Sequence, residues 1–260
     1  MPLSMNELSE FMYRFKCHMV APLATYGNRF PDYDKLRSQW DGLILREKHL
    51  QQDYRRMTEL VNEISIANII LSDRRTQCIL LEYEPPLRTG NCTIDYLATY
   101  STHHLYFDVK TIHPQTMEDW KGYEAFQSYL PSNVGVILER EEMGGEIWHD
   151  MYASRSHMLD YTLELESKIE LCRPYSNTCF VMTFCSNGFD WSLDELEDFA
   201  DFYHIGIHNP DDPFSEAEKY DIGNRDIMLN RTINAFCYHE RPETDLRHSR
   251  FVTRVRGPYR

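Results

Sequence analysis

Residues Cys92–Ile112, CTIDYLATYSTHHLYFDVKTI, hold the pattern from which the rest of the chain is read. The stretch predicts two short β-strands, Thr93–Thr99 and Leu105–Ile112, joined by a polar turn at Ser101-Thr102-His103. Side chains of a strand alternate between faces, so Asp108 and Lys110 point one way while Phe107 and Val109 point the other. A carboxylate and an ammonium then stand side by side amid apolar residues, with Asp95 on the strand before. Two carboxylates from neighbouring strands suit a hard divalent cation such as Mg²⁺, bound through oxygen. A lysine beside them binds a phosphate or helps to generate a hydroxide. The set points to metal-assisted hydrolysis of a phosphodiester.

The acid-x-Lys triplet itself is common here. It occurs as Asp108-Val109-Lys110, as Asp119-Trp120-Lys121 and as Glu166-Ser167-Lys168. The third falls in a helical pattern, where two residues at i and i+2 do not face each other. The second follows Pro114 in a helical stretch with no β-branched flank. Only the first combines a strand-like apolar context with an acid on a preceding strand. The competing reading makes it an exposed charge pair that discourages pairing at a sheet edge.

Elsewhere, apolar periodicity predicts helices over Leu3–Val20, Lys35–Leu50 and Asp53–Leu71, the last with Met57, Leu60, Val61 and Ile64 in one stripe. Pro22 and the Gly27–Pro31 stretch are expected to end the first. Strands are expected at Gln77–Tyr83, Val134–Glu139 and Cys179–Cys185, the last a continuous apolar run suited to burial on both faces. Further helices are expected over Gln115–Tyr129, Glu146–Cys172, Ser192–Tyr203 and Ile227–Tyr238. Ser192 and Glu195 form a capping box at the start of one of them.

The composition, 42% hydrophobic and 13% aromatic, is that of a folded chain rather than a disordered one. No apolar run approaches the roughly 18 residues of a membrane span, and the N-terminal stretch lacks the basic start and apolar core of a secretory signal. Seven cysteines, with no CxxC pair and no zinc-ligand spacing, fit buried thiols in a reducing, intracellular compartment. No G-x-S-x-G or Walker-type loop occurs. The net charge of −14 counts against a nucleic-acid ligand, but it is unevenly spread. Asp190–Asp226 carries 12 acids and two bases, whereas Arg241–Arg260 has six arginines against two acids. A nucleic-acid path along part of the surface therefore stays open.

Asp95 followed by Asp108-Val109-Lys110 resembles the signature of the PD-(D/E)XK, or restriction-endonuclease-like, nuclease superfamily. That signature is an Asp near the start of one strand, then Asp or Glu, any residue, and Lys on the next. Ile94 stands where the family usually has Pro. The resemblance covers roughly Met57–Cys185, and the order strand, strand, strand, helix, strand is that of the family's core. It implies an α/β fold with a mixed central sheet flanked by helices. Residues 1–52 would be an N-terminal helical extension, 53–187 the nuclease-like core, and 188–260 an acidic and helical C-terminal extension packed on it.

By the same resemblance the chain would be a Mg²⁺-dependent nuclease, with DNA preferred over RNA. Asp95 and Asp108 would hold the cation, with the Val109 carbonyl as an added ligand. Lys110 would position or deprotonate the attacking water. The family's opening helix carries a Glu near the metal, for which Glu63 is the candidate, Glu59 its substitute and Glu82 ranked behind it. His103, His104 and His113 near carboxylates would favour Mn²⁺. Lys121 and Gln127 would meet phosphate or base, with Trp120 and Tyr123 stacking, unless that helix simply packs on the sheet. A homodimer is also implied. Two alternatives stay open: a non-catalytic member of the fold that binds nucleic acid, or a protein partner through the acidic 190–226 region, and a Mg²⁺ enzyme of small phosphates.

Overall fold

The computed structural model describes residues 12–45, 50–88, 92–112, 146–186, 193–205, 229–240 and 250–254. The helix expected over 115–129, with Lys121 and Gln127, lies outside the described residues. So do the strand expected over 134–139, His113, and most of the acidic 190–226 region.

The hairpin read from Cys92–Ile112 is present as β2 (Tyr96–Thr99) and β3 (His104–Thr111), preceded by β1 (Leu80–Tyr83). With β4 (Thr178–Ser186), β5 (Ala235–Glu240) and β6 (Arg250–Arg254) they form one mixed sheet in the order β1-β2-β3-β4-β5-β6. β3, β4 and β5 run parallel, and the remaining neighbours are antiparallel. The described helices are α1 (Tyr33–Leu45), α2 (Leu50–Ser72), α3 (Glu146–Ile169) and α4 (Leu193–Ile205). Among the described residues, the order from α2 to β4 is helix, three strands, helix, strand.

Strand alternation divides the side chains between two cores. Phe107, Val109, Val181, Cys185, Ala235 and Cys237 pack with α1, α2 and the helical turns before them. Their neighbours in sequence, Tyr106, Met182, Phe184, Phe236 and Tyr238, pack with Met158, Leu159 and Leu165 of α3 and Leu196, Phe199 and Tyr203 of α4. The parallel strands are therefore apolar on both faces, as strands covered by helices on either side must be. The expected stripe of α2 (Met57, Leu60, Val61, Ile64) is fully buried on the first of these faces. Asp108 and Lys110 alternate away from it, toward α3.

Two expectations are corrected. Pro22 does not end the N-terminal helical path. The chain continues as a π-helix over Lys16–Val20 and a 3₁₀-helix over Ala21–Arg29, with Pro22 in the first turn. That is a position where its missing N–H costs nothing. The path turns only at Gly27, whose φ of +52° suits a residue without Cβ, and Phe30 N–H donates to the Gly27 carbonyl at 2.9 Å. The helix expected over Ile227–Tyr238 is replaced by β5, with no regular structure over 229–234. Pairing with β4 decides this. Asn234 exchanges hydrogen bonds with Phe180, its N–H donating at 2.9 Å and its Oδ1 accepting at 2.8 Å. Register with β4 then sends Phe236 and Tyr238 to one core and Cys237 to the other.

A buried polar clamp fixes α3 against α4 and the approach to β5. The Glu166 carboxylate accepts from the Tyr203 hydroxyl and, at 3.0 Å, from Asn230 N–H. Ile233 N–H donates to the same hydroxyl at 3.0 Å. Tyr203→Phe deletes a bond to a charged group and leaves Ile233 N–H unsatisfied. It is expected to lower the unfolding free energy by about 1–3 kcal/mol in a urea titration. All seven cysteines are free, and no helix among the described residues is long and apolar enough to cross a membrane.

Candidate active site

β2 begins at Tyr96, one residue later than Asp95, and this offset builds the site. Tyr96 pairs with Phe107, so Asp95 comes alongside Asp108 just where regular β2–β3 pairing stops. The Asp95 carbonyl accepts from Glu84 N–H at 2.8 Å, on the β1 side. Its side chain turns to the other neighbour and accepts the Val109 N–H at 2.6 Å. A carboxylate thus takes an amide that the ended ladder leaves over. Asp95 is only partly exposed. Burial first, then the nearby Asp108 and Glu63, pushes its pKa well above the ordinary carboxylate range.

Asp108 has no exposed surface, and neither of its carboxylate oxygens has a hydrogen-bond partner among the described residues. Two ammonium groups stand near it instead. Lys110 Nζ lies 3.5 Å from Oδ2, and Lys168 Nζ, brought in by α3, lies 3.9 Å from the same oxygen. Both lysines also face Glu164, one turn before Lys168 on α3, at 3.9 Å from Lys110 and 2.6 Å from Lys168. Tyr161 places its ring 5.8 Å from Lys110 Nζ. Burial works against the charge on Lys110, but Asp108, Asp95 and Glu164 together outweigh it and hold its pKa above the ordinary lysine value. Partial burial likewise opposes the charge on Glu164. Lys168 and Lys110 more than offset it and keep the Glu164 pKa below the usual range.

Asp95, Asp108 and Lys110 are thus brought together, while Glu63 makes its close contacts with other partners. It sits on the α2 face of the sheet, buried, with Arg56 at 3.0 Å and the Tyr83 hydroxyl donating to it at 2.6 Å. Burial raises its pKa, opposed by Arg56 and Tyr83. The Glu63 charge acts on Asp95, and the two carboxylates act together on the Cys185 thiol. Glu59 pairs with Arg56 at 3.4 Å on the helix surface, and Glu82 lies 3.8 Å from Arg173. His103 stacks on Tyr100 and His104 on Tyr175, at the opposite end of β3 from Lys110. Asp108 lies four positions on from His104, about 13 Å along an extended strand. Neither histidine joins the carboxylates.

Lys168 and Glu164 were not singled out in the sequence. The signal was there, since Glu at i and Lys at i+4 is a favourable helical pair. The triplet Glu166-Ser167-Lys168 drew attention to the wrong partner, because Glu166 belongs to the Tyr203 clamp. A separate cleft of about 980 Å³ opens on the α2 side, with Asn68, Leu105, Phe107 and Val181 in its lining, and includes none of these charged residues.

The donor set can be compared with what a hard cation needs. Asp108 presents a buried carboxylate without hydrogen-bond donors among the described residues, and Asp95 a second beside it. Carboxylate oxygen is the ligand that Mg²⁺ and Mn²⁺ take. Among the described residues, no group of three His, Cys, Asp or Glu side chains converges as a ready cation cage. The fit therefore rests on Asp95 and Asp108.

Enclosing Asp95 and Asp108 together costs stability, and Asp95→Asn should recover part of it. Asn keeps an oxygen for Val109 N–H and removes the repulsion. Asp95 has a folded pKa above its unfolded value. Its favourable contribution is therefore present below the unfolded value and is lost as pH rises through the folded one. The melting temperature of Asp95→Asn should equal that of wild type in acid and exceed it by about 3 °C near neutrality. A gap that closes with rising pH would contradict the burial argument.

No protein-family model, curated protein or solved structure matches the chain.

Proposed function

We propose that the chain is a metal-dependent nuclease of the restriction-endonuclease-like type, hydrolysing phosphodiester bonds with DNA preferred over RNA. The observation that carries this reading is the meeting of Asp95, Asp108 and Lys110 where β2 and β3 part, with the Asp108 carboxylate buried and, among the described residues, faced by ammonium groups at 3.5 and 3.9 Å rather than by short hydrogen bonds. The order helix, three strands, helix, strand from α2 to β4 among the described residues supports it as well.

In this reading Asp95 and Asp108 hold Mg²⁺, or Mn²⁺, with the Val109 carbonyl as a further ligand. When bound, the cation supplies Lewis-acid polarisation of the phosphate and a more acidic water. The chain's own residues do the rest. Val109 N–H fixes the Asp95 carboxylate so that one oxygen stays available. Lys110 brings its ammonium to Asp108, where it orients the attacking water and meets the charge that builds on the phosphate. Glu63 acts as a neighbouring charge on Asp95, since ligation would require its release from Arg56 and Tyr83. Glu63→Gln should accordingly leave Mn²⁺ affinity within about threefold of wild type, because Arg56 already offsets much of the charge that the amide removes. A much larger loss in calorimetry would make Glu63 a ligand.

The reading is tested with plasmid, single-stranded DNA and RNA incubated with Mg²⁺ or Mn²⁺. Cleavage that depends on the cation and is lost in Asp108→Asn supports it. A second reading, a non-catalytic member of the fold that binds nucleic acid or a protein partner through the acidic 190–226 region, is favoured by one observation. The carboxylate expected to complete the cation site is engaged by Arg56 and Tyr83. That reading predicts no cleavage of any polymer and no heat of cation binding.

A further inference from the structure

The charged groups around Asp108 form a ring of alternating sign: Asp108, Lys110, Glu164, Lys168 and back to Asp108. Three of the four are removed from water to a large degree. The Asp108 side chain is 1% exposed, Lys168 8% and Lys110 20%, while Glu164, at 45%, stands half in solvent. A lysine buried to that extent is rare unless it is paired. Lys168 makes its close contact, 2.6 Å, with Glu164 and leans toward Asp108 at 3.9 Å. Asp108, despite two ammonium groups nearby, has no hydrogen bond from either.

Resting on the nuclease reading, we propose that Lys168 and Glu164 set the cation affinity of the site. Lys168 stands in for the divalent cation at the Asp108 carboxylate. Glu164 is the counter-charge that retains Lys168 when the cation enters. The physics is direct. An ammonium about 4 Å from a ligand carboxylate repels a dication at that carboxylate through a poorly screened, protein-filled space. Glu164 offers the same ammonium a second, more exposed carboxylate at 2.6 Å, so Lys168 gives up Asp108 without losing its partner. Lys168 is a positioning residue in this scheme and Glu164 its counterweight. Neither has to touch the phosphate.

Opposite signs are expected from the two variants. Mn²⁺ alone is titrated calorimetrically into the full chain at fixed pH and ionic strength. Lys168→Met, which keeps the length of the side chain and removes the charge, should bind Mn²⁺ about tenfold more tightly than wild type. Glu164→Gln should bind it about tenfold more weakly, and Lys168→Arg, which keeps the charge, should stay within about threefold. The Mn²⁺ concentration for half-maximal cleavage should move in step. Melting curves establish that each variant is folded, and the half-exposed Glu164 gives the tolerant one should Lys168→Met fail to fold. Unchanged or weaker binding in folded Lys168→Met, or unchanged binding in Glu164→Gln, would overturn the proposal while leaving the nuclease reading intact. Wild type that binds no Mn²⁺ would overturn both.

Discussion

Asp108→Asn should lower cation-dependent cleavage by about a thousandfold or more and abolish measurable Mn²⁺ binding, while the protein stays folded. The expectation follows from where the side chain sits. Asp108 has no exposed surface, so a change in volume there would be felt through the core. Asn is nearly isosteric, and the substitution therefore tests charge and little else. What is lost is a buried carboxylate that lacks hydrogen-bond donors among the described residues, and with it the group around which Lys110 and Lys168 gather. Removing a metal ligand or a group that stabilises transition-state charge typically costs about 3–4 kcal/mol or more in the barrier. Circular dichroism and a melting temperature within a few degrees of wild type would exclude unfolding as the cause. Full activity in the folded variant would remove Asp108 from the site.

Lys110→Met is expected to separate binding from chemistry. Its ammonium is held in the charged state by Asp108, Asp95 and Glu164 despite burial. Deleting it takes one positive charge from beside the Asp108 carboxylate. Mn²⁺ binding should therefore be retained or tightened, whereas cleavage at saturating Mn²⁺ should fall by about a hundredfold to a thousandfold. Loss of both together would make Lys110 a structural partner of Asp108 and nothing more. The Met side chain preserves the packing on Tyr161, so a fall in stability should be small, and urea titration checks it.

The hairpin from Cys92 to Ile112 was legible because its outer parts alternate, and alternation fixes which side chains share a face. From that one pattern followed the grouping of Asp108 with Lys110 away from Phe107 and Val109, as the two cores have it. The α2 stripe was legible for the same reason at helical period. β5 was not, because Ala235, Phe236, Cys237 and Tyr238 are buried on both faces and leave no period to read. Asn234 and the register with β4 decide its conformation, and both are tertiary facts. β6 was likewise hidden, since only its pairing with β5 makes it a strand.

The site was half legible. Asp95, Asp108 and Lys110 lie close in sequence and are joined by one hairpin, so local geometry brings them together. Glu63 was read correctly as a residue of the helix before the sheet. Which face of the sheet that helix covers was beyond the sequence, and α2 covers the face from which Asp108 points away. Lys168 and Glu164 come from a helix more than 50 residues further on. Their own spacing marks them as a pair, yet nothing local says that the pair docks on Asp108.

The central claim is that Asp95, Asp108 and Lys110 form a cation-dependent phosphodiesterase site. It is tested most directly by titrating Mn²⁺ into wild type and Asp108→Asn while following cleavage of plasmid DNA. The account predicts cleavage that rises and saturates with Mn²⁺ in wild type and is absent in the folded variant at every concentration. Equal cleavage by the two proteins, or none by wild type at saturating Mn²⁺, would contradict it.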